Sequence, residues 1–305
     1  MSFKLKLANI KYIFSDINFF RRGSTTQRKI WLVSLVLGLI IGWSWFILRI
    51  NNPNYYLKLA DKGLVELKNG QKSPKVIGKI ASNIRQAVFL DAKNPAVAET
   101  AAQMSEALSA YDPLAITSAM NYYDLEISLM SANPVPELRL AHIKANLKAY
   151  EIGTIENSTL SQALKHVDRA ISLDPKYAEA YFEKALILEK LEEYDLAIEA
   201  ARTSLVLASS DRVNFTLARL LFNRGFSRTG QKDQGVITKN TDLVQAKMIL
   251  LSLADQGAEQ LNALYLLVDM VSRLGDKKEM ALYGDKLLGK LPNGQQKEQV
   301  RNMLK

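Results

Sequence analysis

The chain contains no cysteine and only two histidines. Without cysteine there are no disulfides, no thiolate metal ligands and no cysteine nucleophile, a composition that suits an oxidising exterior compartment. His142 and His166 lack neighbours at metal-ligand spacing, so no metal site is expected. A phosphate-cradling glycine loop and a dinucleotide fingerprint are also missing. The stretch from Gly225 through Ser227 to Gly230 has the wrong glycine spacing for a serine-nucleophile turn and follows no strand pattern. No cofactor and no enzymatic activity are therefore expected. Strand-like alternation is absent beyond residue 53, where apolar residues recur at helical spacing instead.

The formal net charge is +9, yet its distribution argues against a nucleic-acid surface. Residues 1 to 29 carry seven basic side chains against the single acid Asp16, which leaves the remainder at only +3. Basicity of this kind belongs to a terminal arm beside a membrane span. Within the arm, Phe3, Leu7, Ile10, Phe14 and Ile17 share one helical face. That pattern fits an interfacial helix on an anionic leaflet, the alternative being a tail whose charge only sets topology.

Residues 30 to 48 contain nineteen residues without a charge, enough at ~1.5 Å per residue to cross a ~30 Å hydrocarbon core. Trp31, Trp43 and Trp45 lie near its two ends, the headgroup level that indole rings favour. A cleavable signal would be shorter and followed by small residues, whereas Arg49 and Asn51 follow here. The expectation is an uncleaved single-pass anchor in a bacterial inner membrane. The basic excess before it puts the N-terminus in the cytoplasm and the rest of the chain in the periplasm. Ser34, Gly38 and Gly42 recur every fourth residue and form a face that another helix backbone can approach.

The remainder reads as all-α. Between Ala178 and Leu207 one apolar stripe holds Tyr181, Ala185 and Leu188, and a second holds Ala197, Ala201, Ser204 and Leu205. The four residues from Glu192 to Asp195 join them as an antiparallel hairpin. Counting back thirty-four residues from Ala197, Ile198, Ser204, Leu205 and Leu207 gives Ala163, Leu164, Ala170, Ile171 and Leu173. Weaker echoes are Tyr111 to Ala115 as a second-helix start, Leu90 and Asp91 as a helix end, and Ala246 and Leu253 against Met280 and Leu287. This tract resembles the tetratricopeptide repeat superfamily, whose period is about thirty-four residues. It departs from that pattern at Lys184, at Glu192 where glycine is usual, and at Ser209 where proline is usual.

The resulting expectation is an α-solenoid over residues 49 to 305, with roughly six helix pairs between 54 and 292 and a capping helix from Gln295. Residues 150 to 159 and 225 to 240 break the period and are expected to be loops.

The resemblance implies a groove lined by the first helices of successive pairs. Here the lining would be Glu179, Phe182, Glu183 and Glu189, then Arg212, Phe215, Arg219 and Phe222, then Tyr265, Asp269 and Arg273. Exposed aromatics among mixed charges suit a peptide or helix ligand, although some of these rings would instead pack between pairs. The expected function is a membrane-anchored protein-interaction scaffold or assembly factor. The alternative is a stoichiometric structural subunit of a larger membrane complex, docked through the span. Partners would be other proteins and the membrane, with no nucleic acid.

Overall fold

The computed structural model describes residues 25–150, 156–229, 240–255, 258–292 and 294–304, with N-terminal side chains described from Leu32 onward. Fourteen α-helices and no strand occur among the described residues. They fall into two compact units, residues up to Ala92 and residues from Lys93 on.

The first unit begins with α1 (Thr25–Ile50). Its stretch Leu32–Ile50 is long and apolar enough to cross a membrane, and its side chains are not buried by the rest of the protein. The helix starts five residues before the expected span. The expected interfacial helix over residues 3 to 17 and the Trp31 side chain lie outside the described residues.

Next come α2 (Pro53–Lys68) and α3 (Pro74–Leu90). Each opens with a polar cap followed by proline. The Asn52 side chain accepts from Asn54 N at 2.9 Å and Ser73 Oγ accepts from Val76 N at 3.3 Å. A proline at the first helical position loses no needed donor there. Leu57, Ala60, Leu64 and Leu67 of α2 are buried, as are Ile80, Ile84 and Ala87 of α3. A Cβ on Gly63 would overlap Ile80 Cγ1, so this crossing requires glycine.

The second unit stacks α4 (Pro95–Leu108), α5 (Ala115–Leu129), α6 (Pro134–Ala145), α7 (Asn157–Leu173), α8 (Ala178–Lys190), α9 (Tyr194–Leu207), α10 (Asp211–Thr229), α11 (Thr241–Asp255), α12 (Gln260–Arg273), α13 (Lys277–Lys290) and α14 (Gln295–Met303). Consecutive helices pack as pairs, α4 on α5 through α12 on α13, and each pair packs on the next. The thirty-four-residue spacing has a visible cause. Ala163, Val167 and Ala170 on α7 and Ala197, Ala201 and Ser204 on α9 are buried at equivalent positions. The same spacing relates Leu253 on α11 to Leu287 on α13, also buried. Small residues dominate these faces, which lets each second helix approach its neighbours closely. The core runs continuously from α8 to α14, where Val300 joins it.

The two expected loops are shorter than the sequence suggested. A 3-10 turn spans Leu147–Tyr150 and α7 begins at Asn157. Helix α10 continues through the expected loop start to Thr229. Its last turns are held by Arg224, which grips Asp242, and by Gly225, where a Cβ would lie 2.8 Å from Leu243. Residues 151–155 and 230–239 of these intervals lie outside the described residues.

Candidate partner-binding groove

The residues expected to line a groove fall into three groups around the first helices of the pairs. Glu179, Glu183 and Arg212 border a cavity of about 380 Å³ together with Val135, Leu138, Arg139, His142 and Tyr177. Glu183 is buried, and its Oε1 lies 3.1 Å from His142 Nδ1. That hydrogen bond raises the pKa of His142 above the usual histidine value; desolvation opposes it, and the Glu183 charge adds to it. Arg212 is exposed, and its guanidinium lies 4.7 Å from the Phe182 ring centre, without an ion pair among the described residues. Glu179 is likewise exposed and free of an ion pair among the described residues.

In the second group, Arg219 binds Glu189 through a two-pronged contact, Nε to Oε1 at 2.9 Å and Nη2 to Oε2 at 2.6 Å, and Asn223 donates to the same carboxylate at 3.3 Å. The planar fork matches the carboxylate and holds α10 against α8. In the third group, Arg273 pairs with Asp269 at 3.1 Å and lies 5.2 Å from the ring centre of Phe222 and 5.5 Å from that of Phe226.

Three of the expected lining residues are not presented as expected. Phe182 is 2% exposed, Phe222 3% and Glu183 5%. Both rings belong to the core cluster, and Phe222 meets Phe226 edge-on at 4.8 Å. Phe215 and Tyr265 are half-buried and pack against that cluster. An arginine from the first helix of the following pair lies over each ring, Arg212 of α10 over Phe182 of α8 and Arg273 of α12 over Phe222 of α10. The surface offered at Phe182 and Phe222 is therefore guanidinium rather than aromatic carbon.

The residues of the expected small-residue face belong to α1 in the first unit. Ser34, Gly38 and Gly42 are exposed on α1, with open space around the Cβ positions of both glycines.

A second, larger cavity of about 1000 Å³ was not foreseen from the sequence. Glu106, Tyr111, Tyr123 and Tyr150 border it, and Arg139 borders both cavities. Tyr123 donates to Glu106 Oε2 at 2.7 Å, and Arg139 lies 3.8 Å from the other oxygen. Burial first, then this hydrogen bond, pushes the Tyr123 hydroxyl pKa far upward, which keeps it a neutral donor. The α6 border of the smaller cavity did leave a sequence signal, since Val135, Leu138, Arg139 and His142 stand at i, i+3, i+4 and i+7 after the Asn133 cap. No cluster of three metal-ligating side chains occurs among the described residues.

The tetratricopeptide repeat family model matches residues 166–199. No curated protein matches the chain by sequence. Among solved structures, the chain is similar to PilF of Pseudomonas aeruginosa, with 18% identity over 84% of this chain and 99% of the other and a TM-score of 0.52. It is also similar to PilW, described as a widely conserved type IV pilus biogenesis factor, with 17% identity over 82% of this chain and 98% of the other and a TM-score of 0.55. At these identities the likeness is one of fold. Residues 166–199 match the tetratricopeptide repeat family, and the helices around them adopt the fold of a tetratricopeptide solenoid.

Proposed function

We propose that this protein is a membrane-anchored interaction scaffold or assembly factor. In this reading α1 crosses a bacterial inner membrane, the N-terminal arm is cytoplasmic, and the helical repeats bind a segment of another protein in the periplasm. The observation that carries the binding role is the pair of adjoining cavities sharing Arg139, with Arg212 and Glu179 at the smaller one and free of ion pairs among the described residues. Cavities bordered by tyrosine and arginine offer anchors of the kind that dominate protein interfaces. The basic excess before α1 supports the orientation.

A photo-crosslinking side chain placed at Arg212 in living cells tests this, with Glu199 on the exposed side of α9 as control. Defined adducts from position 212 but not 199 are expected; equal or absent adducts at both would refute the groove. Protease added to spheroplasts should remove the repeats and spare the N-terminal arm. Protection of the repeats until lysis would reverse the topology.

The runner-up reading is a stoichiometric subunit of a larger membrane complex, favoured by the open small-residue face of α1. Constant stoichiometry with the same partners through detergent purification would select it, whereas an excess of free protein would select the scaffold.

A further inference from the structure

We propose that the α2–α3 hairpin is a lipid-binding module, laid by its basic outer face on the anionic headgroups of the membrane that holds α1. The proposal rests on the reading of α1 as an anchor.

Charge is divided unevenly outside the arm. Residues 51 to 92 carry seven basic and three acidic side chains, whereas residues 93 to 305 carry 25 basic and 27 acidic. Lys58, Lys62, Lys68, Lys75 and Lys79 are all exposed, and none has an ion pair among the described residues. In the second unit, by contrast, several lysines and arginines are neutralised locally, such as Lys184 by Asp168 and Lys247 by Glu279. These five lysines are left for a partner outside the hairpin.

The placement of those cations selects the partner. Along α3, Lys75, Lys79, Ser82, Arg85 and Phe89 fall at helical spacing opposite the buried Ile80, Ile84 and Ala87. Phe89 is 80% exposed at the end of that stripe. An amphipathic face with cations and a protruding aromatic is the pattern of a helix resting on a bilayer surface. The hairpin is also held near that surface. Only Asn51 and Asn52 separate α1 from α2, a link of roughly 7 Å at most. The Arg49 guanidinium fastens the corner, 5.1 Å from the Trp45 ring centre and 4.5 Å from that of Tyr55. An aromatic and arginine cluster at the end of an apolar helix marks the headgroup layer. With the span already inserted, lipid contact is intramolecular in effect, so weak attraction by each lysine suffices.

The native chain has no cysteine, so Ser82→Cys supplies a unique labelling position in the middle of the stripe. The full-length variant carries an environment-sensitive dye there and is reconstituted into phosphatidylcholine vesicles with or without phosphatidylglycerol, each with a small fraction of headgroup-spin-labelled lipid. Quenching of the dye in the anionic vesicles, weak quenching in neutral ones, and loss of most quenching in Lys75→Glu/Lys79→Glu/Arg85→Glu are the expected results. Equal quenching in both lipids, or quenching untouched by the charge reversals, would overturn headgroup docking. Absence of quenching in all vesicles would do the same and would turn this face toward a protein partner. Resistance to alkaline extraction, measured on the same vesicles, reports α1 alone. A chain that is extracted refutes the anchor, whereas a chain that stays in the bilayer without quenching refutes only the docking.

Discussion

Glu192 occupies the same backbone position in the α8–α9 turn as Gly275 in the α12–α13 turn. Glu192 has φ 60° and Gly275 φ 70°. In both turns the following residue donates back to the carbonyl five positions earlier, Glu193 N to Leu188 O and Asp276 N to Val271 O, each at 3.0 Å. Gly70 closes α2 in the same way, with Gln71 N bonded to Glu66 O. This is the glycine-favouring end of a helix, and only one of the three sites holds a side chain. A left-handed residue other than glycine costs about 1–2 kcal/mol, partly offset by the greater chain entropy that glycine loses. Glu192→Gly should therefore stabilise the protein by about 1 kcal/mol, and Gly275→Ala should destabilise it similarly, both read as shifts in thermal unfolding. A lower melting temperature for Glu192→Gly would mean that the glutamate makes a compensating contact.

That departure from the repeat pattern was visible in the sequence, and so was the reason the pattern holds elsewhere. Ala163, Val167 and Ala170 are buried thirty-four residues before the equally buried Ala197, Ala201 and Ser204, so packing favours compact residues at one period. Leu90 and Leu173 both end helices before an aspartate, as their echo suggested. Other signals escaped because they do not keep the period. The Asn-Pro starts at Asn52, Asn94 and Asn133 each cap a first helix, but their spacings differ from thirty-four. The burial of Phe182 and Phe222 was not legible because helical phase shows which residues share a stripe. It does not show whether the next pair covers that stripe.

Arg224 joins three helices, and its removal should cost more than a surface ion pair. Its guanidinium donates to both oxygens of Asp242 at 2.8 and 2.6 Å and to Asp195 Oδ1 at 2.6 Å. The Arg224 and Asp242 side chains are only 17% and 11% exposed. Arg224→Met strands the Asp242 carboxylate, with an expected loss of about 3–5 kcal/mol. Adding Asp242→Asn removes the stranded charge and should recover a large part. A denaturant-unfolding cycle measures the coupling; simple additivity of the two losses would show that the carboxylate is not stranded.

The His142–Glu183 contact makes stability depend on pH in a defined direction. Because the folded value of His142 is raised, chiefly by that hydrogen bond, folding favours the protonated ring. Its contribution is complete below about pH 6.5, the ordinary histidine value, and is lost as pH rises through the raised folded value. Glu106 strengthens the shift and Arg139 weakens it. Thermal unfolding of the full chain in detergent should show the wild type losing stability over that interval relative to His142→Gln. A constant difference between the two proteins across the interval would remove the linkage.

If the small-residue face of α1 meets another helix, bulk placed there should separate the two. Gly38→Leu with Gly42→Leu fills space that is open beside both Cβ positions and also raises hydrophobicity, so membrane insertion should persist. Association measured by in-membrane crosslinking should fall. Unchanged association would leave that face to lipid alone.

Arg212 and Phe222 mark the exposed rim and the buried layer of the expected groove. Arg212 is exposed and lies over a buried ring without an ion pair among the described residues, so Arg212→Ala removes little from the fold, within about 0.5 kcal/mol. If it is an anchor for a partner, the same change costs ~2 kcal/mol or more of binding, roughly thirtyfold in affinity. Phe222 is 3% exposed in the core between the pairs, and Phe222→Ala leaves a cavity that costs about 3–5 kcal/mol of stability. The half-buried Phe215 should behave in the same sense with a smaller loss, since it too packs against the core. The two measurements therefore separate. Arg212→Ala should keep the melting temperature and lose adducts to a crosslinker placed at the neighbouring Glu179, while Phe222→Ala should lower the melting temperature first. If Arg212→Ala kept its adducts at full yield, recognition would have to be sought at the larger cavity bordered by Tyr111, Tyr123 and Tyr150.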